Sequence, residues 1–520
     1  LSFLFCLFYK IFIKMMAKNL FFVFVFLCSS VTYAQELQSE LQDQDWRIIP
    51  GSYETNKPAW DVYVYPVFKH SDGDFNMSRV ILSPTEAVVL VSFEGDEYGV
   101  LKIDDKLSVA WKHKLKGVPH LIIKFGKNLL VRTRPDISKM GRKKESGIYL
   151  IEPQTGEIVK QLDNFGDIAK GGASYYELKF LVNESMNEIK LGIRYYEEKL
   201  PAITRGMNLV TLDYDLKVVK NEKIPLVNNG LYLNCALNNN GDFVFLSAEE
   251  NNQLKVQTFE AKTWIPQKRI LIPFHPRKKS KFFGELYLSS FNPDHAFVYV
   301  DYLNDEKEEI RAIHKIKFST ETFFSYERVL GKDFIKNVKA GYEIVNKKLD
   351  KPDFDDWDKM KVIRIIDNGE RVIVFEEVRY SYQSPQVNSD RIYWTTGDGL
   401  INFLNSNMKP LTHTVIPKRF RLNGPVGLSS SLHIKENKIM LVSGYDKGKG
   451  RTAIYAQIDA SSGRIDKIEE LKKDRIRDNY PADPQATLWF DDSFILSYLD
   501  ADGAMLRIKR IQANLQKFSY

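Results

Sequence analysis

The chain has 520 residues, 44% of them hydrophobic and 27% charged, with 74 Lys and Arg against 67 Asp and Glu. That length and composition support a well-buried core without disulfide staples and exclude collagen-like or low-complexity character. A formal charge of +7 is small for this size, so nucleic acid or another strongly electrostatic partner is not implied.

In chain order, the first predicted element is an address. Residues 1–34 hold no acid. Lys14 and Lys18 precede the apolar run Leu20–Leu27, and Thr32-Tyr33-Ala34 places small residues at −3 and −1 of a cleavage site before Gln35. A basic start, a short apolar middle and a small-residue exit predict a secretory signal peptide, with Met15 or Met16 as the working start. Cleavage would remove Lys10, Lys14 and Lys18 and leave 71 basic against 67 acidic residues, a net +4. Two alternatives stay open: an anchor, whose uncharged run sits at the lower limit for spanning a bilayer, and acylation at Cys28, which Leu27 disfavours. Export to a bacterial periplasm or the exterior is the expectation, with no stable membrane span after cleavage. Only Cys235 would remain, and its leucine-rich neighbourhood, Leu231 to Leu237, reads as a buried structural thiol rather than a nucleophile.

Residues 35–59 read as a linker. From Asp61 onward, short runs rich in Val, Ile, Leu, Phe and Tyr alternate with Asn, Asp, Gly and Lys clusters, which is the pattern of strands and turns. Ala87–Phe93, Gly241–Ser247, Ala296–Tyr302 and Ser493–Leu499 are apolar on both faces, so their sheets require cover on both sides. Many third strands end in an acid or amide, as at Asp104, Glu152, Asp213 and Asp459, whose side chains can bond the backbone of their own turn. First strands near Arg79, His120, Tyr175, Leu231, Gly284, Lys361, Leu432 and Ala486 give eight four-stranded modules. The predicted fold is an all-β propeller over residues 60–520, with eight blades or alternatively seven, and Trp60–Phe68 as the strand that completes a blade from the other end. A β-sandwich array is the competing reading.

The module tails, above all Ile148–Asn164 and then Ile454–Ile465, resemble the repeats of quinoprotein-like propellers, a superfamily close to the WD40 propellers. The resemblance concerns architecture. It implies tryptophan docking between blades, for which Trp111 alone sits at the comparable place. The adjacent cysteines that several quinone-binding members use are missing, so no quinone and no other cofactor is expected. The chain is also similar in style to exported propellers of Bacteroidota-type bacteria.

Two segments interrupt the modules. Lys332–Met360 reads as an insertion or short helix followed by an acidic loop, and Arg379–Tyr393 as a long polar hairpin loop. Gly444–Thr452 lacks the spacing of a phosphate loop and reads as a hairpin. Asp350, Asp353, Asp355, Asp356 and Asp358 lack EF-hand order and read as a solvated loop rather than a Ca²⁺ site, so no metal is expected. The basic runs His275–Lys281 and Arg142–Lys144 read as solvated loops.

Arg379, Tyr380 and Tyr382, with Trp394 close behind, are the candidate binding residues, because Tyr and Trp offer rigid amphipathic contact and Arg a planar donor fork. Cross-strand packing is their bland alternative. No nucleophile elbow, HExxH or paired-His spacing is found, so no catalytic residue is assigned. The expectation is a monomeric, exported, non-catalytic binding or scaffold propeller for a protein or glycan ligand. The alternative is a carbohydrate-active or other hydrolytic enzyme with acid and base contributed by different blades.

Overall fold

A computed structural model describes residues 38–48, save 45, and 79–519, apart from 94–96, 135–146, 164–177, 182–188, 200–201, 229–230, 239–241, 250–251, 261–262, 278–281, 290, 343–348, 350, 355, 384–391, 419, 423–429, 448–449, 473–481 and 500–512. The expected signal segment, Trp60–Phe68, the run Arg142–Lys144, Asp350 and Asp355 lie outside the described residues.

The described residues are nearly all β and fall into eight antiparallel sheets, six of four strands and two of five. Their first strands begin at Arg79, Val118, Leu178, Leu231, Phe283, Met360, Ser431 and Ala482, within a few residues of the sequence expectation in every sheet. Each sheet is a simple up-and-down succession of strands that follow one another in the chain. The exceptions are the short strand Phe420–Leu422, which pairs back on Ile392–Asn405 in sheet six, and the strands at the ends of the chain. Gln38–Gln44 is the outer strand of sheet eight, paired with Ala513–Ser519 from Gln38↔Ser519 to Gln44↔Ala513. Trp46–Ile48 then pairs with Glu86–Phe93 of sheet one, on the edge it shares with Arg79–Ser83. Pairing therefore begins inside the stretch read as a linker, and the strand alongside the C-terminal strand is Gln38–Gln44. Its sequence, QSELQDQ, holds a single leucine. An outermost strand bonds a neighbour on one edge only and can be built from polar residues, so apolar periodicity passes over it.

Apolar clusters join each sheet to the next. Val88, Leu90 and Val100 of sheet one pack with Ile122, Val131 and Tyr149 of sheet two. One cluster runs through sheets two, three and four, and others join four to five, five to six, six to seven and seven to eight. Leu488, Phe490 and Ile495 of sheet eight pack against Ala87, Val89 and Leu101 of sheet one. Between these last two sheets Lys517 Nζ lies 3.1 Å from Asp105 Oδ2, and the Asp491 N–H donates to the Pro84 carbonyl at 3.2 Å. Stacked sheets covered on both faces by their neighbours explain why the strands are apolar front and back. This is a β-propeller arrangement.

The turns between third and fourth strands carry much of this docking. Asp104 Oδ1 accepts the N–H groups of Lys106 and Ser108 at 2.9 and 2.8 Å, and Asp213 and Asn405 do the same in their own turns. These turns each pass through one left-handed residue: Leu107 (φ 66°), Leu216 (φ 61°) and Met408 (φ 63°). A non-glycine residue there costs roughly 1–2 kcal/mol. Each of these side chains is buried against the preceding sheet, and burying a Leu or Met stabilises by about 1.5–3 kcal/mol. Sheets two and seven use the converse. At Gly156 (φ 76°) a Cβ would meet the Trp111 ring at 2.5 Å, and at Gly463 (φ 73°) it would meet Phe403 and Thr412 at 2.9 Å. The preceding sheet's side chain seats where the glycine has none.

Trp111 thus docks between sheets one and two as the resemblance implied, with its Nε1–H donating to the Pro153 carbonyl at 3.2 Å. Elsewhere the plug is Leu216, Trp264 or Met408. Cys235 is buried. Its face is not shared evenly: a bulge between Tyr232 and Asn234 sends Leu233 toward the sheet-five side, while Cys235 and Leu237 pack on the other.

Candidate binding site

The departure from regularity lies in sheet six. Its second and third strands, Arg371–Gln383 and Ile392–Asn405, have 13 and 14 residues, whereas its first strand, Met360–Asp367, has 8 and reaches only to Val378. The arms Arg379–Gln383 and Ile392–Thr396 therefore run on as a projecting hairpin, flanked beside Trp394–Thr396 by the short strand Phe420–Leu422. Arg379, Tyr380, Tyr382 and Trp394 were expected in a loop and lie on these strands instead. The register pairs Arg379 with Thr396, Tyr380 with Thr395, Ser381 with Trp394 and Tyr382 with Tyr393. The structure brings all four residues onto one hairpin; the side chains of Tyr382 and Trp394 lie outside the described residues.

Buttressing the hairpin is the segment expected as an insertion. It forms a helix, Lys332–Gly341, and a 3-10 turn, Trp357–Lys359. Gly331 precedes the helix, Asp333 sits in its first turn and Lys339 in its last, matching the macrodipole at both ends. Val338, Phe354, Trp357 and Met360 pack on Val378, Leu400 and Val415 of sheet six, with Phe334 and Tyr380 at the margin. Lys359 Nζ lies 4.3 Å from the centre of the Tyr380 ring and also pairs with Asp356. Lys359 together with the Tyr380 hydroxyl holds the Asp356 carboxyl below its ordinary range. Asp353 and Asp358 are exposed, and among the described residues no three His, Cys, Asp or Glu side chains converge on a cation position.

Beneath the hairpin lies a layer of buried charge that periodicity does not reveal. Glu377 is fully buried and accepts from Lys418 Nζ at 3.0 Å, from the Ser430 N–H at 2.9 Å and from the Ser430 hydroxyl. Ser430 in turn bonds the Ser443 hydroxyl of sheet seven at 2.7 Å. Arg379 Nε stands 3.4 Å from the second oxygen of Glu377. Burial works to raise the Glu377 carboxyl, but Lys418 and Arg379 outweigh it and hold the group below its ordinary range. Burial dominates at Lys418 and pushes its ammonium down to about 8 against the pull of Glu377. Asp398 ties this layer to the insertion. It accepts from the Phe354 N–H and Trp357 Nε1–H at 3.1 Å and from the Lys418 N–H at 3.2 Å, and burial nevertheless raises its carboxyl.

A second network faces sheet five. Glu376 accepts from Arg311 at 3.1 Å, from Arg328, and from Asn402 at 2.7 Å. Arg311 also grips Asp301 with Nε at 2.8 Å and Nη2 at 3.3 Å, and donates to the Met360 carbonyl. The signal for both networks was present in the sequence as Glu376-Glu377 directly after the apolar run Val372–Phe375, in the middle of the strand Arg371–Gln383. Two charges on opposite faces of a strand buried on both sides require partners on both sides.

The other sequence motifs stay apart from this site. Gly444–Thr452 lies across the end of the hairpin formed by Lys438–Lys447 and Gly450–Asp459, and the described residues after it form strands. His275 is exposed, and the Arg277 N–H is tied to the Leu303 carbonyl at 2.7 Å. Among the described residues no helix is long and apolar enough to cross a membrane.

No protein-family model matches the sequence, and no curated protein does. Among solved structures, the chain is similar to the WD40 domain of SCAP from fission yeast, at 8% identity over 93% of this chain and 98% of that one, with a TM-score of 0.38. It is similar to a putative 6-phosphogluconolactonase from Bacteroides fragilis at 10% identity, 76% and 98% coverage and a TM-score of 0.35. The β-propeller domain of the Trilobed protease from Pyrococcus furiosus gives 10% identity, 76% and 94% coverage and a TM-score of 0.32. At these values the likenesses add nothing to the strand arrangement described above.

Proposed function

We propose that the chain is an exported, closed, eight-bladed propeller that binds a protein or glycan ligand without catalysing its conversion. The binding end is the one carrying the sheet-six hairpin and the Lys332–Lys359 insertion. The observation that supports this reading most is the hairpin itself: a pair of strands continued past their neighbour, with half-buried Arg379 and Tyr380 and a helix and 3-10 turn packed behind them. A site held by strands and packed from behind keeps its geometry on binding. The fully buried carboxylates nearby, Glu376 and Glu377, are each met by two cations, which suits a rigid support better than proton transfer. Tyr382 and Trp394 share the hairpin and are assigned to the same site. The seating of sheet eight on sheet one supports closure, and the basic, apolar and small-residue order of residues 14–34 supports export.

The test is capture of glycan and protein ligands by the purified mature chain, compared with its Tyr380→Ala variant, alongside a turnover assay on the same panel. The expected result is binding that weakens in the variant, with bound material recovered unchanged. Turnover of a captured glycan would favour the hydrolytic alternative. N-terminal sequencing of the exported protein is expected to begin at Gln35.

A further inference from the structure

Resting on the binding reading above, we propose that the face of the hairpin turned toward sheet seven is a receptor for one carboxylate group of the ligand, with Arg379 as its anchor and Thr396 as a second donor. Arg379 is a quarter exposed, with side-chain exposure of 26%, so its fork reaches solvent from a buried base. Its Nε faces Glu377 at 3.4 Å and is a buried donor without a hydrogen-bond partner. Lys418 and Ser430 bond Oε1 of Glu377 at shorter range, whereas Arg379 faces Oε2 through Nε alone, so its Nη groups are not engaged by that carboxylate.

Thr396 lies directly opposite Arg379 in the register, which places both side chains on one face. It is wholly buried, and its hydroxyl has no hydrogen-bond partner among the described residues. A buried hydroxyl left without a partner costs about 1–3 kcal/mol, a cost that a bound ligand oxygen would remove. The guanidinium fork and the hydroxyl together offer the donor set that suits a planar oxyanion.

Charge selects among oxyanions. On this face, among the described residues, Arg379 and Lys418 oppose Glu377 and leave one positive charge in excess. Asp398 lies between this face and the insertion: Oδ2 accepts the Phe354 N–H and Trp357 Nε1–H, Oδ1 accepts the Lys418 N–H, and burial favours its neutral form. A carboxylate neutralises the excess, whereas a phosphate dianion would leave a net negative charge in a largely desolvated site, which is costly.

The experiment is calorimetric titration of the mature full-length chain with benzoate, benzamide and inorganic phosphate. The expected result is saturable binding of benzoate, none of benzamide, and phosphate weaker than benzoate. Arg379→Gln is expected to weaken benzoate at least about tenfold, the loss of a charge-assisted hydrogen bond. Thr396→Val preserves shape and charge and is expected to weaken it by a smaller factor while raising, not lowering, the melting temperature of the free protein. Equal binding of benzamide, phosphate tighter than benzoate, absence of saturable benzoate binding, or an unaffected Arg379→Gln variant would each overturn the carboxylate receptor. A captured ligand that loses affinity on Tyr380→Ala but not on Arg379→Gln removes the carboxylate and leaves the binding end standing.

Discussion

Glu376 and Glu377 are adjacent on one strand and fully buried, yet their carboxylates pair across opposite sheet interfaces, Glu376 with Arg311 and Arg328 of sheet five and Glu377 with Lys418 and Ser430 on the sheet-seven side. Alternation along a strand sends neighbours to opposite faces, so a single dipeptide clamps sheet six on both sides just below the projecting hairpin.

Breaking one half of such a clamp leaves an unpaired buried charge. Lys418→Met is expected to destabilise the protein by about 3–5 kcal/mol, read as a lowered urea midpoint. Glu377→Gln combined with Lys418→Met is expected to recover much of that loss, since two apolar or neutral partners leave no charge stranded. A double variant no better than Lys418→Met alone would show that the ion pair is not the energetic unit.

His314 predicts an acid-side effect. Its ring is buried against Phe323, with Nδ1 2.8 Å from the Ser325 hydroxyl, and burial pushes its pKa down from 6.5 to about 4. Between these two values the unfolded chain binds a proton that the folded chain refuses. Stability from this group is thus present above pH 6.5 and is lost as the pH falls toward 4, by up to about 3 kcal/mol. His314→Asn is expected to flatten the stability profile between pH 7 and 4 relative to the parent. A variant whose profile stays parallel to the parent's would assign the acid sensitivity to other groups.

Trp111 and Gly156 form one fitted contact between sheets one and two. Gly156→Ala is expected to destabilise, since its Cβ would stand 2.5 Å from the Trp111 ring at a backbone φ of 76°. Trp111→Ala is expected to cost about 2–3 kcal/mol for the lost ring and the bond to the Pro153 carbonyl. In the double variant the clash disappears, so the two losses are expected to sum to less than their separate values. Strict additivity in a denaturation cycle would contradict the fitted contact.

The positions of all eight first strands were legible because sheets covered on both faces impose continuous apolar runs, and because Asp104, Asp213 and Asp459 mark turns with a side chain that bonds its own backbone. The polar strand Gln38–Gln44 was not legible, since an outer edge needs no apolar alternation. The hairpin residues Arg379 to Tyr382 were legible as chemistry but not as strand: their polarity suggested a loop, and the cross-strand register with Tyr393 to Thr396 is a tertiary fact. Lys418 and Ser430 were invisible for a different reason. Their role exists only because the chain after sheet six returns beneath Glu377, which no local pattern encodes. Docking was legible at Trp111 and illegible at Leu107, Leu216 and Met408, where an ordinary apolar residue takes a left-handed backbone to plug a seam.

The proposed closure of the chain on itself would turn this succession of sheets into a ring, and hydrogen–deuterium exchange at Gln38–Gln44 tests it most directly. Paired antiparallel to Ala513–Ser519, the backbone amides of this stretch that bond across the ladder are expected to exchange slowly, and to lose protection together with those of Ala513–Ser519 when sheet eight is destabilised. Exchange of Gln38–Gln44 at free-peptide rates, while sheets two to seven stay protected, would contradict a closed propeller.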